Sequence, residues 1–176
     1  MDPSRLSHEL REETNSDLAR RRWIVGLSLV GAAAGIAVTL YQTGIIKHLP
    51  DPPLPFVDSD RVDASNYAYS RLNSPDAPMM IATYGVTALL AAMGGKDRAD
   101  EMPFAPLAMT AKLLFDVALN LELAREEWNE NKAFCTYCQT ASLASIASVA
   151  LAAPEAIKAA GKLFGGEQWE TAQLSS

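Results

Sequence analysis

The chain is short of the side chains that build metal centres. Its 176 residues include two cysteines, Cys135 and Cys138, and two histidines, His8 near the N-terminus and His48 after the first apolar run. A closed zinc site takes four ligands, chiefly Cys and His converging from one side of a domain, and this inventory cannot supply them, so no metal is expected. Charge is scarce as well, at 20% of residues with a net value of −6. No basic surface is left over for a polyanion, and no nucleic-acid partner is expected.

The charges that exist are gathered into tails and loops. The run from Trp23 to Ile46 contains no charged side chain until Lys47. It exceeds the roughly 20 residues that cross a bilayer core and is read as a transmembrane helix. A second apolar segment covers 77–93 and stops at Gly94-Gly95. The third, about 103–124, is interrupted by Lys112 and Asp116, and the fourth, about 134–153, is closed by Pro154. The last two can span only if their polar groups find partners inside a bundle. The expected fold is all-α: an integral-membrane bundle of four transmembrane helices over residues 20–155. A polar tail, 1–19, precedes it and a C-terminal tail, 156–176, follows. Neither end (1–19 and 165–176) has a sustained apolar face, so both are expected to be loosely ordered.

With the N-terminus in the cytoplasm, nine basic residues fall inside (Arg5, Arg11, Arg20, Arg21, Arg22, Lys96, Arg98, Lys158 and Lys162) and five outside (Lys47, Arg61, Arg71, Arg125 and Lys132). The positive-inside rule then favours cytoplasmic N- and C-termini, with the three arginines beside the first helix weighing most. Trp23 and Trp128 fall at opposite interfaces as belt aromatics.

This orientation carries the "CTYC" of residues 135–138 to the outer end of the fourth helix. A thiol there lies near the positive end of the helix dipole and unpaired N–H groups, which favour the thiolate that attacks disulfides. Two intervening residues let the pair close a small disulfide ring, and its place at the membrane edge puts a lipid-soluble oxidant, a quinone, within reach. Two buried residues that merely fall two apart would have the same spacing.

The four-helix layout, "CTYC", and the outer segment "SDRVDASNYAYSRLNSPDA" together resemble the vitamin K epoxide reductase family of membrane thiol oxidoreductases. The similarity runs over about residues 20–155. In that family the loop carries Cys, two residues, Val, two residues, Ser, then Tyr, and a Pro before the second helix; Val62, Ser65, Tyr67 and Pro75 fit. The resemblance implies that Cys135, the outer cysteine, exchanges with a partner's dithiol and that Cys138, the deeper one, passes electrons to a quinone (ubiquinone or menaquinone). It also implies a thioredoxin-like or other dithiol protein as the outer partner, and an inner (plasma) membrane location in a bacterium. The chain departs from the pattern at Ser59, where the inner member of a second, loop cysteine pair is expected. Without that relay, either a partner's thiols reach Cys135 directly or the catalytic role is reduced.

"HLPDPPLP" is too proline-rich for a helix, whereas "RVDASNYAYSRL" places Val62, Tyr69 and Leu72 near one helical face and is read as one short interfacial helix capping the bundle. Within the membrane, Lys112, Asp116 and Asn120 recur at four-residue spacing as one polar stripe, read first as a self-neutralising ion pair and second as a proton path. Thr83, Tyr84, Thr87 and Ser142 offer hydroxyls to a quinone carbonyl. Two functions remain in play: a thiol:quinone oxidoreductase, and a non-catalytic four-helix subunit that packs in a larger membrane complex or holds a quinone or lipid.

Overall fold

The structure, a computed structural model, describes residues 2–70 and 73–174, with side chains to residue 165. Among the described residues it is all-helical apart from one isolated bridge. The elements in chain order are α1 (Pro3–Glu12), α2 (Ser16–Gln42), α3 (Ser59–Asp63), α4 (Asn66–Tyr69), α5 (Ala77–Ala92), α6 (Arg98–Glu101), α7 (Phe104–Asn131) and α8 (Thr136–Leu174). Helix α2 packs against α5 and α8, and α7 against α8 and α5.

Helices α2, α7 and α8 are each long and apolar enough to cross a membrane. Only 28% to 39% of the residues in their most apolar windows are buried inside the protein. Leu29, Val30 and Ile36 on α2, Leu114, Phe115 and Leu121 on α7, and Leu143 and Ile146 on α8 face outward. So broad an apolar exterior suits lipid, whereas water would drive it to aggregate.

The interior is built from small residues, which lets the helices approach closely. A Cβ on Gly31 of α2 would lie 2.6 Å from the Tyr84 ring of α5. Helix α5 is shorter, at 16 residues. Its C-terminal carbonyls, which a helix end leaves unpaired, are taken by two guanidinium groups. Arg21 donates to the carbonyls of Ala91, Met93, Gly94 and Gly95. Arg98 donates to those of Leu90 and Met93 and forms an ion pair with Glu155 at 2.7 Å, with both partners buried. By position in the chain alone, both are charges flanking the helices.

Several boundaries differ from the sequence reading. Helix α2 starts at Ser16 rather than Trp23, because Asn15 caps it by accepting the Leu18 N–H at 2.7 Å; it ends at Gln42, just before the positive-φ Gly44. Residues 3–12 of the expected loose tail form a capped helix instead, held to the α5–α6 turn by Glu9, which accepts the Lys96 N–H, and by a Lys96–Glu13 ion pair at 3.0 Å. Helix α7 runs seven residues beyond 124 and ends where Lys132 adopts the left-handed conformation. Pro154 does not close the last helix but lies inside α8. A proline there loses one backbone bond, and the Arg98–Glu155 pair holds the turn that follows. The expected interfacial helix is two short pieces, α3 and α4, with Ala64 and Ser65 between them; Leu72 lies outside the described residues, as do Met1, Arg71, Ser175 and Ser176.

Candidate functional site

The proline-rich segment leads into α3 and lies across the end of the bundle where α8 begins. A parallel bridge joins Val57 to Phe134, with Phe134 N–H donating to the Phe56 carbonyl at 2.8 Å and Asp58 N–H to the Phe134 carbonyl at 3.1 Å. Trp128 stacks on Phe134 with ring centroids 5.3 Å apart and meets Phe56 edge-on at 5.6 Å. The cap is thereby attached to the residue just before Cys135.

Cys135 occupies the N-cap position of α8, and Cys138 is the third helical residue. The Cys138 N–H donates to Cys135 Sγ at 3.3 Å, as a capping side chain accepts from the first turn. The preceding orphan donor, Thr136 N–H, is accepted by Ser59 Oγ at 3.0 Å. Ser59 in turn donates to Asp51 at 2.7 Å, and so does the Thr136 hydroxyl. The position implied for a loop cysteine is thus a buried serine at the mouth of the cysteine pair.

The two cysteines face different surroundings. Cys135 is 0% exposed, packed with Leu49, Val62, Ala77 and Ala133 beneath the cap. Cys138 is half-buried and lines a cavity of about 470 Å³ between α2, α5, α7 and α8. The cysteine expected to meet a partner is therefore a fully buried residue, covered by the cap.

Two buried acids that sequence reasoning passed over complete the neighbourhood. Glu127, 2% exposed, accepts the Cys135 N–H at 3.3 Å and the Gln139 amide at 3.2 Å. It continues the stripe of Lys112, Asp116 and Asn120, and was missed because the helix had been ended at 124. Asp63 on α3 brings a carboxyl oxygen within 4.8 Å of both sulfurs. No periodicity marks it. Two sulfurs and one carboxyl oxygen are one donor short of a closed four-ligand set. His48 is elsewhere on the cap, bonded to Asp60, and His8 is on α1 beside Glu12.

The Cys138 thiol, hydrogen-bonded to Cys135 Sγ, is the largest influence on that sulfur; burial opposes it, and Asp63 and Ser59 reinforce it, lowering the Cys135 pKa to about 7. Burial, followed by the negative charge of Cys135, pushes Asp63 up to about 10. Both shifts run in the directions that favour thiol–disulfide exchange at Cys135.

A model of the Vitamin K epoxide reductase family matches residues 22–153. The chain belongs to this family. No curated protein compared with it matches. Family membership makes it a membrane protein of the thiol oxidoreductase kind.

Thr83, Tyr84, Ser142, Asp116 and Asn120 all line the cavity with Cys138. Tyr84 donates to the Ala141 carbonyl and shares a bond of 2.8 Å with Ser145; Ser142 donates to the Cys138 carbonyl at 2.8 Å. Asn120 reaches Ser145 at 3.3 Å. Thr87 does not line the cavity: its hydroxyl accepts from Lys112, whose ammonium also bonds the Thr83 carbonyl and Asp116. The cavity is mostly apolar with a few convergent polar groups, the character and size of a small-molecule pocket.

Proposed function

We propose that this vitamin K epoxide reductase family protein is a thiol:quinone oxidoreductase that crosses the membrane four times, with its termini in the cytoplasm and the cap outside. The observation that carries the reading is the division of the cysteine pair between two compartments of one site, Cys135 under the cap and Cys138 on the cavity wall. A partner's thiolate attacks Cys135 Sγ of the oxidised pair. The Cys135–Cys138 bond breaks, its electron pair goes to Cys138 Sγ, and that sulfur takes a proton. The partner's second thiolate then attacks the partner sulfur of the mixed disulfide, and Cys135 leaves as a thiolate. The partner ends as a disulfide and the pair as a Cys135 thiolate with a Cys138 thiol. Re-forming the Cys135–Cys138 bond releases two electrons and the Cys138 proton, which a quinone of the ubiquinone or menaquinone class would accept when bound, taking its second proton from solvent. Thr83, Tyr84, Asn120 and Ser142 would hold such a ring, and the outward-facing apolar belt supplies its route from the lipid.

The partner is proposed to be a thioredoxin-like or other dithiol protein that displaces the cap as it docks. Short α5 serves as the remaining span: its 16 residues rise roughly 24 Å, and its carbonyls are capped where it ends. A second reading, a non-catalytic four-helix subunit that holds a quinone or lipid within a larger complex, draws on the full burial of Cys135 and on the serine at 59.

The test is reduction of a short-chain quinone by the dithiol form in lipid nanodiscs, followed optically with free thiols counted before and after. Two thiols lost per quinone reduced is expected; a dithiol inert to quinone in a folded protein favours the subunit reading. Labelling of single cysteines introduced at Lys96 and Asp58 in sealed vesicles checks the orientation, and an outward Lys96 overturns it.

A further inference from the structure

The exchange chemistry above uses two sulfurs and leaves a third buried group unassigned. Asp63 is 3% exposed and its Oδ2 has no hydrogen-bond partner. An unpaired carboxylate at that depth is very costly, whereas a neutral acid is tolerated but carries an O–H that must donate to something. Among the described residues, the titratable groups that share its field are Tyr41 from α2, Tyr69 from α4, Asp76 ahead of α5, Glu127 from α7, and Tyr137 with the two cysteines at the start of α8. These are acids, phenols and thiols, not cations that would hold a carboxylate in its charged form. The sulfurs lie within 4.8 Å of its carboxyl oxygen.

Resting on the thiol:quinone reading, we propose that Asp63 is the third member of the redox centre: a neutral carboxylic acid whose O–H donates to Cys135 Sγ and holds that sulfur as the thiolate. Its moment comes when the partner's second thiolate attacks the mixed disulfide. The bond between the partner sulfur and Cys135 breaks, the electron pair goes to Cys135 Sγ, and the acid's O–H receives the developing charge. A better-stabilised leaving sulfur departs faster. Asp63 keeps its own proton throughout, and the proton lost by the partner passes to solvent.

The experiment is a pH titration of the fully reduced protein by thiolate absorbance at 240 nm, in wild type, Asp63→Asn and Asp63→Leu, with Cys135→Ser identifying the step that belongs to Cys135. In wild type that step is expected near 7. Asp63→Leu removes the donor and moves the step up by at least about one unit, a roughly tenfold drop in thiolate at pH values below it. Asp63→Asn is the same size and neutral, and it retains an N–H donor. If Asp63 is a neutral acid, Asn leaves the step in place or slightly raised; if it is a carboxylate, Asn removes a negative charge and lowers the step. A lowered step in Asp63→Asn, or an unmoved step in Asp63→Leu with native helix content, overturns the proposal. If Asp63→Leu does not fold, the sign of the Asn shift decides. The titration contains neither quinone nor partner, so a protein that fails to reduce quinone still answers it.

Discussion

Ser59 Oγ accepts the Thr136 N–H at 3.0 Å and donates to Asp51 at 2.7 Å, tying the cap to the first turn of the helix that carries the cysteines. One hydroxyl satisfies a helix-end donor and a loop carboxylate together. Ser59→Ala leaves the Thr136 N–H without its acceptor and Asp51 with the Ser59 N–H and the Thr136 hydroxyl as remaining donors, and should destabilise the cap by about 1–3 kcal/mol. Faster alkylation of Cys135 at neutral pH, with the overall melting temperature little changed, is the expected result. Unchanged alkylation would mean that the Val57–Phe134 bridge alone keeps the cap closed.

The same link has a pH dependence. Burial raises the Asp51 pKa, but donation from Ser59 and Thr136 outweighs it and holds the carboxylate below its ordinary 3.8. A depressed acid contributes stability above its unfolded value and loses it as pH falls through the lower folded value. Protection of the Thr136 amide in hydrogen exchange should therefore persist through mildly acid pH and fall only below about 4. Asp51→Asn should weaken protection even at pH 7.

Because Asp51 and Ser59 bond side chain to side chain, they are the pair to replace when building a loop relay. Asp51→Cys with Ser59→Cys should form a disulfide beside Cys135 and increase oxidation of small soluble dithiols several-fold in quinone-containing membranes. Thiol consumption measures it. A gain that survives Cys138→Ser would contradict the role given to the deeper cysteine.

The two serine substitutions at the pair should differ. Cys138→Ser leaves Cys135 able to attack the disulfide of an oxidised partner but removes the sulfur that would displace the partner from the resulting mixed disulfide, so that species should accumulate. Mass spectrometry of the variant from native membranes would identify the partner. Cys135→Ser should trap nothing, and trapping by it would reverse the assignment.

At the opposite end of the bundle, Arg98→Met should cost about 3–5 kcal/mol by leaving Glu155 buried without its cation. Replacing both, Arg98→Met with Glu155→Leu, should recover much of that loss, although the Leu90 carbonyl loses its guanidinium donor. Thermal unfolding in detergent compares the two variants.

Membrane class, helical fold and family can be read from the chain alone, because those depend on run length, charge scarcity and local spacing. A charge-free run such as Trp23–Ile46 can satisfy its backbone in lipid only as a helix. "CTYC" and the Val62, Ser65 and Tyr67 spacing are likewise legible in one dimension. Tertiary structure decided where polar groups far apart in the chain meet. Arg21 and Arg98 read as loop charges until the end of α5 was seen to need their donors. Pro154 read as a stop until the ion pair of Glu155 with Arg98, 57 residues away, was seen to hold the turn beyond it. Asp63 has no signature in its own segment; only the packing of α3 over the start of α8 places its carboxyl against Cys135. Burial sets the protonation of such a group, and burial is a property of the assembled bundle rather than of any stretch of sequence.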